Sequence, residues 1–227
     1  MIVVVGQPLF RESRAGSAVD GLPARIALAA AAHGCSVQLV GKAGEDEAGD
    51  AVVLALARGG VGHVALQREA GRPTARAADS IDEAIEERET SLGAIDVDDE
   101  PPTSQDKDDS IAGATLEAAD VHLALRYLTE FAVLVLADPA VADVVRVATA
   151  AARWSDSRLI IVVPAGEAVP EGLPPDAIVF EAPDEDPDGV FASMVGTFAA
   201  GLDDGGDPAE AFRSSVDTGG WTGTPVG

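Results

Sequence analysis

The stretch of sequence that decides the fold is LVGKAGEDEAG, residues 39–49. It begins inside an apolar run at 36–40 and leads into a run of small helix-forming residues at 47–58, which Gly59 and Gly60 end. The three glycines of the stretch relieve the backbone crowding of a tight turn from a strand into a helix. The stretch therefore predicts a β-strand that passes directly into a helix, which is the repeating unit of a parallel sheet.

The residues on either side extend this pattern. The β-branched run Ile2–Val5 is typical of a central strand that is buried on both faces. Residues 22–33 are helix formers, with Pro23 near the start and Gly34 just past the end, as these residue types prefer. Residues 63–67 predict a further strand. The order β-α-β-α-β implies a parallel sheet with right-handed crossovers.

The second half of the chain repeats the alternation of strands and helices. We expect helices at 115–129, 139–153, 188–202 and 208–215, and strands at 131–137, 159–163 and 177–180. There is no internal repeat and no sign of a second hydrophobic core. The predicted fold is a single α/β domain over residues 1–227, with three α/β/α layers around a mainly parallel sheet.

Composition restricts the partners of the protein. Of 227 residues 47% are hydrophobic, which is enough to bury a large core, and 39 acids against 15 bases give a formal net charge of −24. Such a charge repels phosphate backbones and anionic lipids, so we expect neither a nucleic-acid nor a membrane partner. Only Lys42 and Lys107 are lysines. A surface rich in acids and poor in lysine is typical of a halophile, where concentrated salt screens the repulsion.

Targeting and metal-binding signals are absent from the sequence. Cys35 is the only cysteine, which excludes an intrachain disulfide and a cysteine-based metal cluster. The three histidines lack ligand spacing, so we expect no metal site. The N-terminus does not have the pattern of a signal peptide, and no apolar run approaches the roughly 20 residues of a spanning helix. These observations predict a cytoplasmic protein.

Three blocks in the first half resemble the ribokinase-like (PfkB) carbohydrate kinase family: GQPL at 6–9, DGLPARIA at 20–27 and VGKAGEDEAG at 40–49. The third is the most specific, because it keeps the spacing, the three glycines and Asp46 of the family's Val-Gly-x-x-Gly-x-Asp-x-x-Gly pattern. The resemblance implies a ribokinase-like fold, ATP and Mg²⁺ as the cofactors of an active enzyme, and a small-molecule substrate. A homodimer through lid strands is one assembly that it allows.

The C-terminal part extends the resemblance but departs from it in the chemistry. Residues 186–194, DPDGVFASM, look like the family's Gly-Ala-Gly-Asp helix, whose amides form an anion hole for the transferred phosphoryl group and whose Asp is the base. Four residues occupy those positions here: Gly189, Val190, Phe191 and Ala192. The base position is therefore Ala192, a methyl group that cannot accept a proton. Asp188 is a weak candidate for a replacement base, and the acids before this helix are otherwise expected to cap it.

The substrate half departs from the family pattern too. Arg25 occupies the position of the family's Asn, and Arg11 that of the Asp after the first strand. Two guanidinium groups would suit a carboxylate or phosphate, although both could instead pair with nearby acids. The resemblance adds Gly21, Gly44 and Asp46 as further substrate-side candidates.

One segment has no counterpart in the family pattern. Thirteen acids and two bases lie between Asp79 and Asp109, and we interpret residues 79–110 as an acidic insertion or a replacement for the lid. Residues 81–92 could form a short amphipathic helix. Cation binding is less favoured, because a calcium-loop spacing is absent. The chain is also short for this family, and the shortfall lies between Phe180 and Asp188.

Two functional hypotheses follow from these residues. The first is a catalytically degenerate homologue, a pseudokinase, that binds a small anionic ligand, such as an anionic sugar, or a partner protein and acts as a regulator or structural subunit. The alternative is an active ATP-dependent carbohydrate or nucleoside kinase with non-standard site residues. The loss of the base disfavours the alternative, because general-base catalysis is worth about 10²- to 10⁴-fold in rate.

Overall fold

The computed structural model of the protein describes residues 1–13, 16–77, 113–137 and 141–219. Its strands are β1 (Ile2–Val5), β2 (Leu9–Ser13), β3 (Gly16–Asp20), β4 (Val37–Gly44), β5 (Val61–Gly62), β6 (Leu66–Glu69), β7 (Val133–Leu136), β8 (Arg158–Val163) and β9 (Ile178–Glu181). Its helices are α1 (Leu22–Ala32), α2 (Glu47–Arg58), α3 (Ala118–Tyr127), α4 (Ala142–Ser155), α5 (Val190–Asp203) and α6 (Pro208–Gly219). No helix in these ranges is long and apolar enough to cross a membrane.

The main sheet of the described residues is parallel throughout. Its strands run in the order β5-β4-β1-β7-β8-β9, and β6 also pairs with β4. One apolar core packs α1, α2, α5 and α6 against one face of the sheet, and a second core packs α3 and α4 against the other. The predicted α/β/α architecture with a mainly parallel sheet is confirmed.

The structure adds a hairpin that the sequence pattern did not predict. Strands β2 and β3 pair antiparallel, with Leu9 opposite Asp20 and Arg11 opposite Ala18. These strands mix charged and small residues with few apolar ones, so their side chains lack the alternation that marks a half-buried strand. The predicted strand at 63–67 is replaced by two short strands, β5 and β6. The acidic segment 79–110, with its predicted helix at 81–92, lies outside the described residues.

The turn at 39–49 is held by close backbone contacts that only glycine permits. A Cβ atom on Gly44 would lie 2.3 Å from the carbonyl oxygen of Arg72, and one on Gly49 would lie 2.3 Å from the carbonyl oxygen of Gly44. Asp46 caps α2 by accepting a hydrogen bond from the Gly49 amide at 2.8 Å. The same carboxylate accepts hydrogen bonds from the amide and the hydroxyl of Thr74. Asp46 therefore ties the start of α2 to the chain that follows β6.

These contacts determine how Asp46 responds to pH. Burial raises the pKa of Asp46, but hydrogen bonds from Thr74 and Gly49 outweigh burial, and the pKa lies below its ordinary value of 3.8. A carboxyl group with a lowered pKa in the folded state stabilises the fold above its ordinary pKa. That contribution is lost as the pH falls through the lowered pKa.

We predict that Asp46→Ala lowers the free energy of unfolding by about 2 kcal/mol at neutral pH, because it removes a helix cap and leaves the buried Thr74 side chain without its acceptor. Urea unfolding at several pH values measures the effect. The difference in free energy of unfolding between wild type and variant should become smaller as the pH falls below 3.8. Asp50→Ala is the control, since that carboxylate is 77% exposed and, among the described residues, forms an ion pair only with Arg68. Equal losses in the two variants would contradict the assigned role of Asp46.

Candidate functional site

The candidate site lies where the strand order reverses at the carboxyl edge of the sheet. From β1 the chain proceeds outward to β4 on one side, and later from β7 to β9 on the other, so the reversal falls between β1 and β7. Open parallel sheets bind their ligands in the crevice at this edge. Beside this point, at the carboxyl ends of β7, β8 and β9, lies a cavity of about 260 Å³, lined by Leu22, Ala137, Val162, Pro164, Ala165, Ala182, Pro183 and Asp184.

A buried carboxylate, Asp20, lies two residues before Leu22, one of the residues that line this cavity. It ends β3, is 5% exposed, and accepts hydrogen bonds from Nε of both Arg11 and Arg25, the second at 2.6 Å. Its Oδ1 also accepts from the Gly21 amide at 2.8 Å. Gly21 has φ +86° and precedes α1, so Asp20 also fixes the turn from the hairpin into that helix. Asp20 thus fixes both arginines that the sequence singled out.

The electrostatics of this triad keep Asp20 ionised. Burial raises the pKa of Asp20, but the hydrogen bonds from Arg11, the Gly21 amide and Arg25 outweigh burial, and the pKa lies below its ordinary value of 3.8. One carboxylate and two guanidinium groups leave a net charge of +1. The side chains of Arg11 and Arg25 remain 39% and 28% exposed, so part of each guanidinium group faces solvent.

A second carboxylate, Asp186, occupies the N-terminus of α5. Its two oxygens accept hydrogen bonds from the amides of Phe191 at 3.1 Å and Ala192 at 3.0 Å. Arg25 Nη1 donates to the carbonyl oxygen of Asp186, which joins this helix terminus to the triad. A helix N-terminus favours an anion because its amides are unpaired and its dipole is positive. In this conformation Asp186 supplies that anion from within the chain.

The other predicted site residues are placed as follows. Gly189 has φ +69° and lies 3.9 Å from Arg25 Nη1, measured from the Cβ that it lacks. Asp188 is exposed beside it. Gly44 and Asp46 belong to the turn before α2, where Asp46 already accepts three hydrogen bonds. The structure therefore joins Arg11, Gly21, Arg25 and Gly189 through contacts, and it places Asp46 in a structural network of its own.

Sequence reasoning overlooked Asp20 as a site residue, and it did not single out Asp186 among the acids that it expected to cap α5. Asp20 lies within the DGLPARIA block, and its signal was the pair of arginines at positions 11 and 25, which needed a partner. Asp186 is one of four acids before α5, and only its place five and six residues ahead of the Phe191 and Ala192 amides distinguishes it. The spacing alone does not reveal which acid folds back onto the helix.

A larger apolar cavity adjoins the site. It has a volume of about 730 Å³ and shares Ala165, Ala182, Pro183 and Asp184 with the smaller one. Its wall includes an aromatic cluster in which the Phe180 and Phe198 ring centroids lie 5.4 Å apart and those of Phe180 and Phe212 lie 6.2 Å apart. In the described chain β9 passes through a loop directly into α5, so no further strand covers this side.

The residues at this helix terminus do not fit a nucleotide phosphate with its metal ion in the present conformation. The amides of Phe191 and Ala192 already donate to Asp186, and no side chain of Gly189, Val190, Phe191 or Ala192 carries a carboxylate. Within the four described ranges, no group of three or more His, Cys, Asp or Glu side chains could hold a metal ion.

Comparison with solved structures identifies the architecture as ribokinase-like. An Arabidopsis thaliana ribokinase complexed with ribose and ATP has a TM-score of 0.57 at 13% identity, over 98% of this chain and 93% of that one. A PfkB protein from Polaromonas sp. JS666 has a TM-score of 0.60 at 15% identity, over 96% and 94%. An E. coli protein assigned as a ribokinase II, in complex with ATP and Mg²⁺, has a TM-score of 0.62 at 14% identity, over 96% and 91%. No protein-family model and no curated protein sequence matches the chain.

We predict that Asp186→Ala lowers the free energy of unfolding by about 1 kcal/mol, the usual cost of losing a helix cap. The same change frees two amides, so inorganic phosphate should raise the melting temperature of the variant more than that of wild type. Differential scanning fluorimetry over a phosphate series measures both effects. Glu185→Ala, an exposed neighbour, is the control. An identical response of wild type and Asp186→Ala to phosphate would show that Asp186 does not compete for these amides.

Proposed function

We propose that this protein is a ribokinase-like homologue that binds a small anionic, sugar-like ligand at the crevice between β1 and β7 and does not transfer phosphoryl groups. The observation that carries the proposal is the Asp186 carboxylate, which occupies the Phe191 and Ala192 amides. These amides stand at the positions where the family's pattern has its anion hole. While Asp186 holds these two amides, they are not available to a phosphate.

The usual contributions of an anion hole and of a general base to the reaction rate support the loss of catalysis. Phosphoryl transfer depends on donors aimed at the developing negative charge and on a carboxylate that accepts the proton of the attacking hydroxyl group. Each lost anion-hole donor costs about 10²- to 10³-fold in rate, and a missing base costs about 10²- to 10⁴-fold. Both losses would apply here, because Ala192 has a methyl group in place of the base and Asp186 occupies the amides of the anion hole.

The arginine triad supports the binding half of the proposal. Asp20 accepts from Nε of each arginine, which leaves the terminal nitrogens of Arg11 and Nη2 of Arg25 as donors at a partly exposed surface, since Arg25 Nη1 donates to the Asp186 carbonyl oxygen. Guanidinium groups bind carboxylate and phosphate through paired donors, which favours an anion over a neutral sugar. We therefore place the ligand's anionic group beside Arg11 and Arg25.

An active kinase remains the second candidate, and the large apolar cavity beside α5 favours it. That cavity of about 730 Å³ lies within the size range of small-molecule and cofactor sites. For this function Asp186 would have to leave the helix terminus before a phosphate could enter. The exposed Asp188 is the nearest candidate for a base, since it lies directly before Gly189.

We predict that the wild-type protein, assayed in concentrated salt with ATP, Mg²⁺ and a panel of sugars and nucleosides, hydrolyses or transfers no phosphate above the uncatalysed rate. Coupled detection of ADP measures this. Asp188→Asn and Asp186→Ala are assayed beside it. Turnover by wild type that disappears in Asp188→Asn would overturn the proposal in favour of the kinase. Turnover that emerges only in Asp186→Ala would show that the carboxylate blocks an otherwise competent site.

We predict that ribose 5-phosphate raises the melting temperature whereas ribose does not, because only the phosphate can pair with the arginines. Arg11→Gln and Arg25→Gln should each weaken this stabilisation at least threefold in the ligand concentration required. Arg58→Gln, an exposed arginine at the end of α2, is the matched control. Equal stabilisation by ribose and ribose 5-phosphate would remove the case for an anionic ligand. Arg25 also holds the backbone of Asp186, so its loss would weaken the fold as well as ligand binding. Arg11→Gln is included because it tests ligand binding without that effect on Asp186.

A further inference from the structure

A groove on the opposite face of the molecule has a composition unlike the rest of the chain. It lies between α3 and α4, has a volume of about 440 Å³, and is separate from the crevice at the carboxyl edge. Seven of its twelve lining residues are apolar, among them Leu125, Phe131 and Trp154, and the polar ones include His122, Arg126 and Arg146. Apolar side chains therefore form most of this surface, and polar groups stand at a few points.

The periodicity of both helices explains how the groove forms. On α3, His122, Leu125 and Arg126 recur at spacings of three and four, and on α4 Val147, Ala151 and Trp154 do the same. Such spacing places each set along one stripe of its helix. Leu125 and Phe131 are 8% and 5% exposed, so they form a floor that belongs to the apolar core beneath.

Trp154 stands at the edge of this floor with 92% of its surface exposed, the highest value among the exposed large hydrophobic residues of the described chain. An indole ring gains free energy when it is covered by an apolar or aromatic group. The groove thus combines an apolar floor with an uncovered aromatic wall, which is the arrangement expected of a site for an aromatic or aliphatic body.

The charge of the lining indicates which kind of ligand fits the groove. The lining includes Arg126, Arg146 and His122 but no acidic residue, in a chain with 39 acids and 15 bases. Arg146 pairs with Asp143 on its own helix at 3.1 Å, and both side chains are about 70% exposed, so that pair holds Arg146 only weakly. Arg126 has no ion-pair partner among the described residues. A negative group is therefore favoured in the groove.

From these observations we propose that the groove between α3 and α4 is a binding site for a small amphipathic carboxylate. The apolar body lies on Leu125 and Phe131 against the Trp154 ring, and the carboxylate pairs with Arg126 and Arg146. The proposal is independent of the proposed function, since it shares no residue with the arginine triad of Asp20.

The experiment uses 4-phenylbutyrate as the probe and the full chain as the protein. Saturation-transfer NMR and calorimetric titration in the salt that keeps the protein folded measure binding. The neutral analogue 4-phenylbutan-1-ol and the cationic analogue 4-phenylbutylamine separate the contribution of charge from that of the apolar body. We expect the acid to bind more tightly than the alcohol and the amine to bind weakest.

The variants test the named contacts. Trp154→Ala should weaken 4-phenylbutyrate about fivefold. Arg126→Gln and Arg146→Gln should each weaken it about threefold, and the pair together about tenfold. All are surface changes, and equal melting temperatures would verify that the fold is intact. Arg58→Gln is the control for the change in net charge. Arg25→Gln tests whether the probe binds instead at the arginines beside Asp20.

Four outcomes would overturn the proposal. The first is the absence of binding up to the solubility limit of the probe, and the second is equal affinity for the acid and the alcohol. The third is binding that Arg25→Gln or Arg58→Gln weakens as much as Arg126→Gln does. The fourth is self-association of the chain in sedimentation, abolished by Trp154→Ala, because the groove would then be an interface between copies. Weakening confined to the Trp154, Arg126 and Arg146 variants would support it.

Discussion

The rest of the structure depends on the complete burial of strand β1. The side chains of Ile2–Val5 are each 0% exposed, and they alternate between the two apolar cores. Since neither face of this strand can meet water, helices must cover both faces of the sheet, and the chain must cross over between parallel strands. Strands β4 and β7 pair with the two edges of β1, and the strand order reverses at β1 and β7. The candidate site is thus located by packing before any functional residue is considered.

Much of this architecture could be predicted because its signals are local. The strand Ile2–Val5 and the helix at 47–58 have the predicted bounds, since a β-branched run and a capped run of small residues are each complete within one stretch of sequence. The hairpin of β2 and β3 was not predicted. Its strands depend on pairing with each other and on the bridge from Phe10 to Arg76, a contact made across more than sixty residues. Tertiary contacts of this kind leave no periodicity in a five-residue strand.

The site was predictable to the same limited extent. Arg11 and Arg25 were identified as unusual because the resemblance placed polar, uncharged or acidic residues at those positions. The sequence could not indicate that one carboxylate would serve both, because Asp20 meets Arg11 across a hairpin and Arg25 across a helix start. Likewise four acids precede α5, and only the loop conformation selects Asp186. A single sequence identifies candidate residues more readily than it identifies which of them come into contact.

The placement of Asp186 also bears on how a chain could keep a kinase architecture without kinase chemistry. The amides at the start of α5 need an anion or water, whatever the protein does, because they have no partner within the helix. In the family pattern the transferred phosphoryl group meets that need during the reaction, whereas in this structure a carboxylate of the chain meets it. On the proposed function, losing the base and gaining the carboxylate would leave the helix at least as stable as before. The residues of the turn at 39–49 are not free to change in this way, because its glycines permit contacts that any Cβ would block. Physical necessity would then preserve the blocks that build the fold, while the residues that carry the chemistry could change.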